Sequence, residues 1–591
     1  MHAVKWVLPY VTRYKLRLVM AFALDIAVAL MYLIYPYMIG RIVRDVIYGE
    51  MHERLFFYLA LNVGIVLFRT CMRYISVISF ESISQRVVYN LRQDIYGKLH
   101  SLDHNFFDTN RVGDIMARMT GDLDAIRAYI SHDIYIVPEN ILFFLTSIVI
   151  MFSLSWQLAL CMLSVAPVIF VTAYKQSVAI KPKYGNIREQ FSHLNSVCAE
   201  NIGGNRVIKA FAKEGYEIQK FSEASQAYYQ SHVDTNKVYI KYHPILNTAA
   251  GVMPFFLVLV GSILVIYGHM EVWQMVAFSG YLWMVTQPMS LFGSYVNTAQ
   301  NFLTSLDKVF GMMRKPIYIE SPENAVGKEK LEGAVEFLNV SFGYDRNDPR
   351  SLVLKDVSFR VERGWTLGIV GATGSGKTTV ANLLCRFYDV FSGEVLVDGV
   401  DVREYDLQSL RGNISAAMQD VFLFSDTIEG NIAYGVPEAP MKTLTDAAKV
   451  ADADGFISRM PDGYDTIVGE RGVGLSGGQK QRISLARALA TDPSILILDD
   501  TTSAVDMDTE RRIQAALKDV VRDSNRITII IAHRLSSVKA ANLILVLDNG
   551  AVTERGTHDE LMAIGGYYAR QYTEQLGLNP FSGRVGEPHG A

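Results

Sequence analysis

Residues 366–378 read Thr-Leu-Gly-Ile-Val-Gly-Ala-Thr-Gly-Ser-Gly-Lys-Thr, a short apolar strand running straight into a glycine-rich turn that ends on Lys377 and Thr378. A helical run follows. Glycines let a backbone wrap closely around a phosphate chain, and the amides at a helix start point toward anions. In this pattern the lysine reaches the outer phosphates and the hydroxyl after it ligates Mg²⁺. The candidate cradle is Gly371, Thr373, Gly374, Ser375, Gly376, Lys377, Thr378 and Thr379. The competing reading is a chance glycine-rich turn, which the strand before and the helix after weigh against.

Two further stretches build on this one. Ile495–Leu498 is an apolar strand that ends in Asp499-Asp500. A carboxylate at the C-terminal end of a parallel strand beside a phosphate loop is placed to hold Mg²⁺. Leu475-Ser476-Gly477-Gly478-Gln479 then opens another helix, a second anion-binding terminus in the same domain. One nucleotide needs one cradle, so the spare one makes sense closing over nucleotide held by another copy. Strands at 357–361, 366–370, 495–498, 527–531 and 543–547, interspersed with helices and glycine turns, predict an α/β domain over 333–576.

Before that domain the chain changes character. At 591 residues it is too long for one ordinary core, and its apolar residues crowd into the first half. Runs near 18–39, 56–80, 134–154, 158–177, 244–267 and 275–303 are long enough to cross ~30 Å of hydrocarbon. The joins between spans three and four and between spans five and six are short. The other connections, 82–133 and 178–243, are long, helical and rich in Arg and Lys. Positive residues collect on the inner side, which places the N-terminus, both long connections and everything after 304 in the cytosol of a multi-pass cell-membrane protein. The expected organisation is a transmembrane domain over 1–311, a linker over 312–332, the α/β domain, and a disordered tail over 577–591.

The N-terminus lacks the pattern of a cleaved leader. It reads as an amphipathic surface helix, with Trp6 and Tyr10 near the headgroups and Lys5, Arg13, Lys15 and Arg17 on the cytosolic side. A net charge of −4 argues against a polyanion-binding surface, nothing resembles a nucleic-acid module, and no nucleic-acid partner is expected. Cys71, Cys161, Cys198 and Cys385 fall in membrane helices or the cytosol, so no structural disulfides are expected. Asp25, Arg69, Arg73 and Glu139 lie within or at the edges of spans. A charge in hydrocarbon needs a partner or water: Asp25 can pair with Arg69 or Arg73, while Glu139, near the inner boundary, reads as snorkelling. Tyr32, Tyr35, Trp283 and Phe292 are candidates for a cavity lining, although such aromatics more often pack or face lipid.

With these motifs in place, the chain resembles the ABC transporters, specifically exporter-type half-transporters of the multidrug and lipid-exporter kind. The resemblance covers about 10 to 575. It implies ATP and Mg²⁺ as ligands and a six-helix transmembrane domain joined to a P-loop nucleotide-binding domain. It makes Tyr344 the aromatic that stacks on adenine, and Gln419 the loop glutamine that touches Mg²⁺ alongside Thr378 and Asp499. Glu470 would lie at the contact with the intracellular helices. Asp506, in Ser-Ala-Val-Asp, matches the aspartate of the loop after the strand that ends in Asp499-Asp500, and His533 matches the switch histidine at the γ-phosphate. Ser476, Gly477, Gly478 and Gln479 form the signature that completes a partner's site. In the membrane half, Phe106-Phe107-Asp108 with Gly113, Asp114, Arg118 and Asp122 looks like the first coupling segment. Glu200, Lys209 and Glu214 resemble the second.

One departure matters. Where the family usually carries Glu after the Asp499 position, this chain has Asp500. The carboxylate is one methylene shorter, and catalytic geometry is unforgiving at about 1 Å. The expected division of labour is a heterodimer in which this chain holds a degenerate ATP site, with Asp500, His533 and Gln419 as its catalytic residues, and lends an intact signature to a partner half-transporter. A homodimer tolerating Asp is the alternative, as is a regulatory or channel-like subunit. Drugs, lipids and peptides are all plausible cargo, moved by export in preference to import.

Overall fold

The structure is a computed structural model that describes residues 2–345, 348, 350–469, 472–501, 505–524 and 526–575, without the side chains at 250, 290 and 519–524. Glu470, the Ser-Ala pair before Val505-Asp506, and the tail at 577–591 lie outside the described residues. The chain divides into two compact units, residues 1–100 with 112–315, and residues 101–111 with 316–591.

The first unit is helical. α1 (His2–Thr12) is followed by α2 (Lys15–Tyr48) and α3 (Arg54–Ser101). The short α4 (His104–Thr109) belongs to the second unit. The first unit resumes with α5 (Val112–Leu154), α6 (Trp156–Gly203), α7 (Glu214–Ile266) and α8 (Val272–Met313). Among the described residues α2, α3, α5, α6 and α7 are long and apolar enough to cross a membrane. The sixth expected span lies in α8, whose apolar stretch is diluted by Gln274, Ser279, Thr286 and Gln287. α8 nevertheless packs closely against α2 and α5. Small residues permit that approach: a Cβ on Gly280 would stand 2.6 Å from Pro36 Cβ, and one on Gly40 2.9 Å from the Trp273 carbonyl oxygen. The Tyr281 hydroxyl, fully buried there, donates to the Leu33 carbonyl at 2.7 Å.

α6 and α7 run alongside each other, and between them Ile202, Val207, Phe211, Tyr216 and Ile218 stand exposed. At the N-terminus, Trp6 rests against Phe310 with centroids 5.7 Å apart, and the Tyr10 hydroxyl donates to Asp94 at 2.6 Å. These two aromatics, expected near headgroups, are held by protein.

The second unit carries two sheets. β1 (Val335–Phe342), β2 (Leu354–Val361), β4 (Ser392–Val397) and the two-residue β5 (Val400–Asp401) form an antiparallel sheet in the order β2-β1-β4-β5. The other sheet runs β10-β9-β3-β8-β7-β6, from β3 (Thr366–Gly371), β6 (Ile414–Ala417), β7 (Ile495–Asp499), β8 (Ile527–Ile531), β9 (Leu543–Asp548) and β10 (Ala551–Gly556). β3, β6, β7, β8 and β9 are parallel and β10 closes one edge antiparallel. β7 is buried at every position, which is why it reads as an unbroken apolar run and not as an alternation. Phe337, Val357, Leu367, Ile369, Leu384 and Ile529 fill the core between the sheets and α9 (Lys377–Leu384). α10 (Gly477–Ala490) packs its buried face, Ile483, Leu485, Ala486 and Leu489, beside β6 and β7. α11 spans Met507–Ser524.

Candidate ATP-binding and hydrolysis site

The turn between β3 and α9 is shaped by its glycines. Gly371, Gly374 and Gly376 have φ of +151°, +82° and +100°, values that side-chain-bearing residues rarely adopt. A Cβ on Gly371 would lie 2.1 Å from the Leu547 carbonyl oxygen, and one on Gly376 2.6 Å from Leu354 Cδ2. A Cβ on Gly374 would meet nothing within 4 Å. The loop is therefore packed hard against β9 at one end and β2 at the other, and open at its crest.

Lys377 bends back across this loop, its ammonium donating to the carbonyls of Gly371 at 3.0 Å and Ala372 at 2.8 Å. Burial pulls its pKa below the ordinary lysine value, with Asp499 and Asp500 pulling the other way. Thr378 Oγ1 donates to Asp499 Oδ2 at 2.8 Å. Asp499 is the last residue of β7 and is almost fully buried. β8 stands between β3 and β7, so the acidic strand is one place removed from the loop strand, and the carboxylate still reaches Thr378. Burial raises the Asp499 pKa and Asp500 adds to the rise, against the Thr378 hydrogen bond, Lys377 and His533. Lys377, Thr378, Asp499, Asp500 and His533 thus share one electrostatic neighbourhood.

The donor set suits a magnesium nucleotide. A hydroxyl and a carboxylate face each other, which are hard oxygen donors of the kind Mg²⁺ takes. The Ser375 hydroxyl beside them is buried without a hydrogen-bond partner, and the loop crest is open.

Asp500 has φ +48°, a conformation Asp tolerates better than most residues. Its amide donates to the Ile531 carbonyl at 2.9 Å, and its carbonyl accepts from the buried Gln481 of α10 at 3.3 Å. The backbone under this carboxylate is therefore fixed by β8 and by α10 together. Tyr344 is 38% exposed, while its hydroxyl lies 3.0 Å from Thr379 Oγ1. That ring stands edge-on to Tyr388 at 5.1 Å. The Tyr388 hydroxyl in turn donates to Asp108 at 2.6 Å, and His104 packs on Phe387 at 4.3 Å. Burial, then the bond to Asp108, pushes the Tyr388 phenol up.

Other expected residues hold local structure. Ser476 caps α10: its Oγ accepts from the Gln479 amide at 3.3 Å, and Gln479 Oε1 accepts from the Ser476 amide at 2.8 Å. Asp506 accepts from the Thr509 amide at 2.9 Å and from its hydroxyl at 3.0 Å, as a cap does at the start of α11. These bonds hold its carboxyl below the usual range. Gln419 is exposed on the bend after β6, and Thr373 is exposed on the loop.

His533 is exposed, its carbonyl accepting from Gln575 at 3.0 Å. The next residue, Arg534, pairs with buried Glu510 of α11 at 2.5 Å, and Ser537 donates to the same carboxylate at 2.6 Å. Sequence reasoning missed this clasp on the histidine loop. The available signal was an acidic residue one turn into α11 and an arginine directly after the histidine.

In the first unit, Asp25 pairs with Arg73, as allowed, and Glu139 joins them; it is buried, not snorkelling. Arg69 instead lies over the Tyr32 ring, 3.8 Å from its centroid, and Tyr32 also meets Phe143 edge-on. Tyr32 is therefore a packing residue, whereas Tyr35, Trp283 and Phe292 are exposed. Asp122 accepts from Ser305 at 2.8 Å and pairs with Lys308 at 3.2 Å. Lys209 pairs with Glu214 at 2.9 Å, and Lys220 with Glu200 at 3.5 Å. All four cysteines are free.

Comparison with known proteins matches this division of the chain. Residues 18–289 match the ABC transporter transmembrane region family, and residues 354–503 match the ABC transporter family. The Bacillus subtilis ABC transporter ATP-binding protein YknU is 36% identical, covering 92% of each chain. The putative multidrug export ATP-binding/permease protein YgaD of Bacillus subtilis is 33% identical over 97% of this chain and 100% of its own. The ATP-dependent lipid A-core flippase of Pseudomonas aeruginosa is 37% identical over 84% of this chain and 81% of its own. Among solved structures, a bacterial Atm1-family ABC exporter with ATP bound superposes with a TM-score of 0.78, at 28% identity over 95% of this chain and 98% of that one. A helical membrane unit, a P-loop over Asp499 and a capped signature helix, matched over nearly the full length by exporters and flippases, make this chain a member of the ABC transporter family, an exporter-type half-transporter with its own ATPase domain.

Proposed function

We propose that this chain is one subunit of a dimeric exporter that moves an amphipathic lipid or drug across the cell membrane by alternating access. Its nucleotide-binding domain, residues 333–576, lies in the cytoplasm beyond a 312–332 linker and a 1–311 transmembrane domain. The substrate class follows from the names of the relatives. The orientation follows from the Arg- and Lys-rich connections at 82–133 and 178–243. The second subunit is supported by the α6–α7 turn, where five large apolar side chains stand exposed, a patch that calls for a partner.

At the site, Gly371–Gly376 wrap the phosphates, Lys377 turns from its loop carbonyls to the β/γ-phosphates, and Tyr344 offers its exposed ring to the base. Mg²⁺, when bound, is held by Thr378, Asp499 and Gln419 and neutralises charge on the transferring phosphoryl group. Asp500 takes the proton of the attacking water and His533 contacts the γ-phosphate. Ser476–Gln479 complete the partner's site, as the partner's signature completes this one. ATP binding then favours the closed dimer through its differential affinity, and hydrolysis releases it.

The observation that carries the mechanism is Asp500. Its backbone is tied to Ile531 and Gln481, so it cannot slide forward to make up for the missing methylene. Hydrolysis at this P-loop is slow, and the fast site is the one formed by this chain's signature with a partner bearing Glu. One observation favours a homodimer instead: His533 is retained, and its loop is clasped by Glu510. Mg²⁺-ATPase activity of the chain purified alone in lipid, beside a Lys377→Ala control, separates the two. Negligible turnover by folded, ATP-binding protein supports the heterodimer. Robust turnover that the control abolishes means a self-sufficient homodimer.

A further inference from the structure

Within the membrane unit, Arg73 of α3 uses a single nitrogen for two carboxylates on two other helices. Its Nη1 lies 2.5 Å from Asp25 Oδ1 on α2 and 3.0 Å from Glu139 Oε2 on α5. Both acids are buried, at 3% and 6% exposure. With all three groups ionised, the triad carries one uncompensated negative charge.

Among the described residues around it, only His132 brings further positive charge to bear on Glu139. Arg69, one turn before Arg73 on α3, is committed to the face of Tyr32 on α2. From α5, Tyr135 offers an aromatic ring 4.9 Å from the Arg73 guanidinium, and His132 sits with its Nδ1 3.3 Å from Asp133. From α8, the phenol of Tyr295 lies within electrostatic range of Glu139. An unpaired buried charge is costly, and two carboxylates sharing one site cannot both ionise cheaply.

We propose that Asp25, Arg73 and Glu139 form an intramembrane proton-binding site, in which the two carboxylates share one proton beside the guanidinium. The site sits at the junction of three helices. Any movement that parts α5 from α2 and α3 admits water, and in water a carboxyl ionises near pH ~4, so the proton leaves. Closing the junction recovers it.

The test uses the full-length protein in lipid nanodiscs at neutral pH. Infrared spectra in H₂O and D₂O are recorded for the unaltered chain, Asp25→Asn and Glu139→Gln. We expect a deuterium-sensitive protonated-carboxyl band that at least one of the two substitutions removes. Each single variant should fold with a near-normal unfolding temperature, because an amide replaces a group that is already neutral or leaves its partner ionised against Arg73. The Asp25→Asn/Glu139→Gln double variant strands the guanidinium and should unfold at lower temperature than either single. Absence of a band sensitive to either substitution means both acids are ionised, with the charge balanced by another cation, and overturns the proposal. So does failure of both single variants to fold.

Discussion

Lengthening one side chain tests the reading of the ATP site directly. Asp500→Glu adds one methylene, about 1.5 Å of reach, to a carboxylate whose backbone is pinned by β8 and α10. A displacement of about 1 Å in a catalytic group can cost ~10²-fold in rate. The variant should therefore gain up to ~10²-fold in turnover, equivalent to ~2.7 kcal/mol of barrier. There is an opposing cost. The residue sits at φ +48°, where Asp is helped by its short polar side chain and Glu is not, a penalty of about 1 kcal/mol. The variant should be faster and slightly less stable at once. The assay is Mg²⁺-ATPase turnover of the chain alone in lipid, with Lys377→Ala as the background and thermal unfolding measured on the same samples. A wild-type rate equal to that of Asp500→Glu would show that the shorter carboxylate reaches the water and would refute the degenerate-site argument. A stable, dimeric Asp500→Glu that stays at background would refute it too, because reach would not be what limits the site.

Gly371→Ala forces a Cβ to 2.1 Å from the Leu547 carbonyl at a φ of +151°. It should lose nucleotide binding together with about 1–3 kcal/mol of stability from overpacking. Gly374→Ala, at the open crest, meets no atom but takes on the strain of φ +82°, so it should fold with a smaller loss of stability, about 1 kcal/mol, and lose affinity, as unfolding and nucleotide titration of the two variants will show. Ser476→Ala removes the α10 cap, worth ~1 kcal/mol, and should lower the unfolding midpoint of this domain by about 2–4 °C, while Ser476→Thr keeps it. The raised pKa of Asp499 fixes a pH dependence. A carboxyl that prefers its proton when folded adds a stability increment to the nucleotide-free protein that is complete below the ordinary carboxyl pKa and is lost as pH rises through the raised folded value. Magnesium nucleotide needs the carboxylate, so its affinity should climb with pH on the acid side and level off once Asp499 is ionised. Asp499→Asn should remove that slope in a calorimetric titration.

The nucleotide-binding unit was legible where chemistry constrains sequence. Thr366–Thr378 had to be strand, turn and helix, and Gly371, Gly374 and Gly376 of the turn take positive φ values. The strands buried on both faces, β7 and β8, were visible as apolar runs. β1 and β4 were harder to see: Leu338-Asn339 and Ser392-Gly393 interrupt their alternation, and Asn339 at φ +48° marks the irregularity in the pairing. Spacing also could not show that β8 lies between the loop strand and the acidic strand, since strand order is a long-range property. Asp506 was read through the resemblance as a site residue. Its hydrogen bonds to Thr509 give it a structural task as well, which the Asp-x-x-Thr spacing at the start of α11 already offered.

In the membrane unit the usual equation of apolar with inside fails, and this explains what was missed there. Along the last five turns of α5 the buried positions are Tyr135, Glu139, Phe143, Ser147 and Met151, a stripe repeating every four residues with Asn140 beside it, while Ile141, Leu145 and Val149 face outward. On α2, Asp25 shares its buried face with Ala21, Val28 and Ala29, and on α3 Ser76, Ser79 and Phe80 are buried in the turns that follow Arg73. Where lipid is the surroundings, long apolar side chains go to the periphery, and small or polar ones mark the seam between helices. Read with that inversion, Glu139 belongs to a seam by its spacing from Tyr135 and Phe143 and has no route for snorkelling. Asp25 and Arg73 fall on seams by the same rule, and three charges on three facing seams meet. What spacing along one helix could not supply is which seam faces which, and that is what makes the charge count of the triad a structural finding.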